Sequence, residues 1–133
     1  MFASQDITGK WRNIDDKTGF SKAIIEIKKD DSGHYAGKII EVIPRPGYIP
    51  QTICTKCKGA DKNKAILGMQ ILQNMKQSEK NPLEFSGGTI LDPLSGNNYK
   101  TTARLNATGS RLTIRGFVGV EILGRNQTWL REN

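Results

Sequence analysis

The chain has two cysteines, Cys54 and Cys57, three positions apart in "TICTKCKGAD" (52–61). A pair at this spacing suits three kinds of chemistry: half of a tetrahedral metal site, a dithiol redox centre, or a short disulfide bridge. A zinc site wants four ligands, commonly two such pairs or one pair with two histidines. This chain offers one histidine, His34, and Asp61 as an oxygen donor beside the pair. A redox pair sits at a helix N-terminus next to a βαβ unit. Here the pair lies in a proline-rich stretch with no helical pattern behind it. On the residues alone, the bridge, the metal half-site and the free or redox thiols all stay open.

Other chemistry-bearing residues are scattered. Asp15–Asp16 and Asp30–Asp31 are carboxylate pairs, but both fall in turn sequences, where aspartate bonds its own backbone. His34 follows a turn glycine and reads as an exposed strand-start residue rather than a general base. Asp92-Pro93 reads as a turn opener. "SGG" (86–88) lacks the lysine and the following helix of a phosphate loop, so Gly87–Gly88 reads as a bend or bulge in a strand. No nucleophile, base or ligand set is legible, so the expectation is a non-enzyme without a cofactor.

The elements that must carry these residues are short strands. Turn signals recur in "DDKTGF" (15–20), "DDSGH" (30–34), "DPLSGNN" (92–98) and "NATGS" (106–110). Between them the apolar residues alternate. Ala23, Ile25 and Ile27 share one face; so do Tyr99, Thr101, Ala103 and Leu105, and Leu112, Ile114 and Val118. Such alternation suits antiparallel strands with one face in a core and one in water. It predicts about eight strands, at 10–14, 22–29, 34–43, 67–75, 84–91, 98–105, 111–119 and 125–131. The stretch 64–80 fits two periods: Leu67, Met69 and Ile71 for a strand, and Leu67, Ile71, Leu72 and Met75 for a short helix. The strand is preferred. Residues 44–63 carry three prolines and both cysteines and read as one long irregular loop. Closure would remove the edges of so long a meander, so the expected fold is all-β, an up-and-down antiparallel barrel.

At 133 residues the chain fits one domain, 1–133, able to bury a core without staples. No apolar run approaches the roughly 18 residues of a membrane helix. The net charge is +7, and its densest group is Lys56, Lys58, Lys62 and Lys64, which reads as a solvated loop. Aromatics are 7% of residues, too few to suggest a base-stacking platform, so no nucleic-acid partner is expected.

Two runs resemble lipocalins: "TGKW" (8–11) at the first strand and "GRNQTWLR" (124–131) at the last. The resemblance implies that Trp11 closes the barrel floor and that a basic side chain from the last strand, Arg125, packs across it. More of the chain resembles a bacterial family known as domain of unknown function 2147. The matching runs are "GKW", "TGFSKAIIEI", "GHYAGKI", "CTKC", "ILGMQIL", "SGGTILDPLSGNNYK", "LTIRGFVG" and "GRNQTW", in that order. That likeness implies a small exported protein with a lipocalin-like barrel, periplasmic or secreted, with "MFASQD" as a mature start after a removed leader. An oxidising compartment in turn favours a Cys54–Cys57 disulfide.

The expected function is non-enzymatic binding of a small, mostly apolar ligand in the barrel. Tyr35 and Tyr99 are the inward candidates for contacting it. The alternative is an envelope structural or interaction module, its barrel filled with side chains, working through the 44–63 loop.

Overall fold

In the computed structural model of the chain, residues 6–14, 21–44, 47, 50–93, 95–118 and 121–132 are described. The side chains of 21, 117, 118 and 121–126 lie outside that set. Eight strands follow in order: β1 Gly9–Ile14, β2 Ser21–Lys29, β3 Tyr35–Val42, β4 Gln70–Gln77, β5 Glu84–Leu91, β6 Asn98–Leu105, β7 Arg111–Val118 and β8 Glu121–Glu132. Each pairs antiparallel with the next, and β1 pairs with β8 to close the barrel. At that seam Trp11 stands opposite Arg131 and Lys10 opposite Glu132. On its outer side the Arg12 guanidinium grips the Glu132 carboxylate at 2.9 and 3.0 Å. The up-and-down course sorts the connections. The β2–β3, β4–β5 and β6–β7 turns lie at one end with the start of β1. The β3–β4 and β5–β6 connections lie at the other.

The alternating residues build the core as expected. Ala23, Ile25, Ile27, Thr101, Ala103, Leu105, Leu112 and Ile114 are all buried. Val118 lies outside the described side chains. The interior is packed with Tyr35, Leu72, Met75, Phe85 and Trp129, each at most 1% exposed. Thr101, the buried polar residue among them, donates its hydroxyl to the Arg115 carbonyl at 2.8 Å, which removes the cost of burying it.

The ambiguous stretch 64–80 is a strand, starting three residues later than expected. Ile66 to Met69 form a turn, with the Met69 amide bonded to the Ile66 carbonyl, and leave Leu67 exposed. The helix-like spacing of Ile71, Leu72 and Met75 has a strand explanation. Asn74 adopts φ 61°, so Gln73 and Asn74 both face solvent and Met75 returns inward. Gly87 does the same on β5 at φ 78°, where the β5–β6 register shifts between Phe85 and Gly88. The two kinks face each other, so the β4–β5 ladder keeps its register across them. Gly88 is the residue that fits beside Met75; a Cβ there would collide with the sulfur. Gly87–Gly88 is therefore a bulge, as its sequence suggests.

Within the expected 44–63 loop, the part from residue 52 onward is ordered, while residues 45, 46, 48 and 49 lie outside the described residues. Residues 52–66 fold back as a hairpin, with Ile53 bridged to Ala65 and Cys54 bonded through its backbone to Lys64 and Asn63. A single 3-10 turn, Gly59–Asp61, makes the tip.

Candidate functional site

The two ends of the barrel differ in chemistry. The floor is a sealed polar-aromatic knot. The Trp11 ring is fully buried, and its indole N–H donates to the Ile7 carbonyl at 2.9 Å. The Arg131 guanidinium stacks over that ring, 4.4 Å from its centre. Its nitrogens donate to the carbonyls of Gly109, Thr8 and Asp6 at 2.7, 2.9 and 2.9 Å. One side chain thus ties the β6–β7 turn and the segment before β1 to the last strand. The glycine of "TGKW" follows from this. Gly9 has φ 127°, and a Cβ there would lie 3.1 Å from an Arg131 nitrogen. Burial lowers the Arg131 pKa and the Asp6 carboxylate opposes that, so the cation persists at neutral pH.

The sequence assigned this basic role to Arg125. The guanidinium over Trp11 belongs to Arg131, and the Arg125 side chain lies outside the described residues. Cross-strand pairing decides the matter: Arg131, not a residue six positions earlier, stands opposite Trp11. Trp129 sits inside, one inward step above Arg131, with its indole N–H on the Gln127 side-chain oxygen at 3.1 Å.

The two candidate tyrosines part company. Tyr35 opens β3 at the floor end, 1% exposed, with its ring edge-on to Phe85 at 5.5 Å and Lys29 over it at 5.6 Å. Burial raises its pKa, and the hydrogen-bonded Asp6 carboxylate raises it further. It packs in the closed layer at the floor. A phenol held protonated in the fold stabilises the protein fully below about pH 10, its unfolded value. That contribution fades as pH rises through the higher folded value. Tyr35→Phe should therefore cost about 1.5 kcal/mol at neutral pH, by loss of the bond to a carboxylate. It should also flatten the decline in stability above pH 10, as measured by urea unfolding at stepped pH.

Tyr99 is the second residue of β6, at the other end, and lines a pocket of about 100 Å³. Ile90, Leu91, Ile114 and Gly116 supply its apolar wall, and Asp92 and Gln127 its polar edge. The Tyr99 hydroxyl accepts from the Asn97 amide at 3.3 Å, and Ser95 donates to the Asp92 carboxylate at 3.0 Å. Trp129 holds the Gln127 oxygen, which orients that amide at the pocket's edge. Sequence alternation found Tyr99. It gave no signal for Gln127 or Gly116, whose meeting depends on how β7 and β8 pair.

The cysteines form a disulfide, Cα atoms 5.4 Å apart, both buried. Cys54 Sγ lies 3.2 Å from the Pro93 carbonyl oxygen, and a side chain at Gly96 would collide with the main chain of Lys56 and Cys57. The bridge thus seats the 52–66 hairpin on the β5–β6 turn, beside the mouth pocket. His34 is at the floor end, with its Nδ1 2.7 Å from the Ser32 hydroxyl, so the fold does not bring it to the cysteines. Among the described residues no three potential metal ligands cluster. Asp30, in the same turn, is held below the usual carboxylate range by the Ser32 hydroxyl and the His34 amide. That is the self-bonded turn aspartate expected there.

A closed eight-stranded antiparallel barrel with an aromatic floor crossed by a basic residue narrows the field. A family model described as "uncharacterized protein conserved in bacteria (DUF2147)" matches residues 9–131. The chain belongs to this family. Among solved structures it is similar to protein HP1028 from the human pathogen Helicobacter pylori, described as belonging to the lipocalin family. The two share 16% identity at a TM-score of 0.74, over 96% of this chain and 84% of that one. At that identity the likeness speaks for the fold, which is lipocalin-like. No curated protein matches the sequence.

Proposed function

We propose that this member of the family is a non-enzymatic binding barrel, exported to the bacterial envelope, that takes a small, mostly apolar group at its mouth rather than in a deep cup. The observation that carries the reading is the pocket around Tyr99. It sets an apolar wall under a rim of phenol, carboxylate and amide, the usual make-up of a small-molecule site. Its size limits the occupant. About 100 Å³ is below the roughly 300 Å³ of a site for a whole drug-sized ligand. The packed layer of Trp129, Phe85 and Met75 beneath gives no depth for more. The pocket suits a short alkyl chain or one ring, with a polar end left at the rim. Export accords with the bridged cysteines, because such bridges persist in oxidising compartments.

Gly116 provides the test. Its Cβ position lies 3.4 Å from the Tyr99 Cβ, an ordinary approach, and its φ is outside the left-handed region. A larger residue there should fill the pocket without breaking the strand. Native mass spectrometry and calorimetry with a series of short alkyl alcohols and acids should show binding to the wild type. Gly116→Leu should weaken it at least ~10-fold, in line with about 1.4 kcal/mol of lost apolar contact. Equal binding by both proteins, or none by the wild type, would dismiss the mouth as the site.

The second reading, an interaction module working through the 44–63 loop, draws on a different observation. The described interior is filled, and the loop presents a folded, bridged hairpin at the mouth.

A further inference from the structure

The lysines around the cysteines read in sequence as a solvated loop. The structure gives them a platform. Lys56, Lys58, Lys62 and Lys64 are all exposed on the 52–66 hairpin, whose one acidic residue is Asp61. The hairpin thus carries a net charge of four minus one, or +3 of the chain's +7. Asp61 makes a loose ion pair with Lys64 at 3.9 Å. At the base of the same hairpin, Ile53 is 40% exposed and Leu67, just beyond it, 58%. Among the described residues these are two of three large apolar side chains offered to solvent. Between the hairpin and the outer wall of β3 and β4 runs a groove of about 480 Å³, lined by Lys38, Lys64, Ala65 and Leu67.

We propose that this hairpin is a docking surface for an anionic lipid bilayer, with the lysines on the headgroups and Ile53 and Leu67 entering the interfacial layer. The proposal deepens the second reading above by naming its partner. Basic residues close to exposed apolar ones match the two attractions a charged membrane offers, electrostatic and hydrophobic. A nucleic-acid partner fits less well, because base stacking needs exposed aromatic rings. The hairpin between 52 and 66 has none, and Trp11, Trp129, Tyr35 and Phe85 are buried. The disulfide and its seat on the β5–β6 turn keep the hairpin rigid, so docking would not have to order a loose loop. They also place the mouth pocket next to the bilayer surface.

The test is vesicle co-sedimentation of the full chain. Phosphatidylcholine vesicles are compared with vesicles carrying about one-third phosphatidylglycerol, between about 0.05 and 0.5 M salt. Wild type should bind the anionic vesicles and leave them as salt rises. Each lysine at such a surface contributes about a five-fold factor. Joint replacement Lys56→Gln, Lys58→Gln, Lys62→Gln and Lys64→Gln should therefore lower partitioning about 600-fold. The control removes the same charge at the floor end, through Lys10→Gln, Lys28→Gln, Lys76→Gln and Lys80→Gln, all exposed positions. It should lose no more than about five-fold, the long-range share of net charge. Leu67→Gln should weaken binding at high salt more than at low. Equal losses in hairpin and control variants would reduce the effect to net charge and overturn the proposal. So would absence of wild-type binding to anionic vesicles at low salt. Tighter, hairpin-dependent binding to a single-stranded oligonucleotide would keep the interaction reading and reject the bilayer as its partner.

Discussion

Replacing Trp11 by alanine should remove about 3–5 kcal/mol of stability, the range for a fully buried tryptophan. Three losses combine. The indole vacates a closed layer that neighbouring strands cannot collapse to fill, because their spacing is set by the ladder. The Ile7 carbonyl loses its donor. The Arg131 guanidinium loses the face it stacks on. For a chain of this length the melting temperature should fall by about 10–20 °C. Trp11→Phe keeps a plug but no N–H and should cost about half as much. Denaturant unfolding of both variants measures this directly. A change under about 1 kcal/mol for the alanine would mean that the ring does not seal the barrel.

The second large effect belongs to Arg131. Methionine keeps most of the packed stem and removes the guanidinium. Three main-chain oxygens, of Gly109, Thr8 and Asp6, then lose a charged donor at once. Bonds to charged groups contribute about 1.5–3 kcal/mol each, but they share one group and do not add. About 3 kcal/mol is expected for Arg131→Met. Arg131→Lys should recover little, because a single ammonium cannot span three acceptors in a planar fan. Hydrogen exchange gives the local signature: amides of residues 6–9 and 106–110 should exchange faster while β4 and β5 keep their protection. A double-mutant cycle with Trp11→Phe isolates the stacking contribution, expected at about 1 kcal/mol. Wild-type stability in Arg131→Lys would show that charge alone, not the three-way bonding, holds the floor.

Together these results would separate the part of the molecule that closes the barrel from the part offered to other molecules. Tyr35 packs in the floor layer, and Tyr99 lines the mouth pocket. Both are inward by alternation, and alternation is blind to height along the barrel. Tyr35 begins a strand that starts at the floor, while Tyr99 is the second residue of one that starts at the mouth. Only the direction of each strand in the closed meander tells them apart.

What the amino-acid order determined by itself is local. Period-two patterning and turn residues were enough for strand number, most strand limits and the up-and-down course, because each depends on neighbours a few positions away. Gly87–Gly88 was legible as a bulge for the same reason. What the tertiary structure decided depends on partners distant in the chain. Arg131 covers Trp11 because β8 meets β1 in one register. The helix-like run 71–75 is a kinked strand because Asn74 turns outward beside Gly87. Residues 52–66 form a seated hairpin because the two cysteines pack on the β5–β6 turn. Alternation tells which side of a strand faces inward. Register and closure, cooperative properties of all eight strands, decide what each inward side chain meets there.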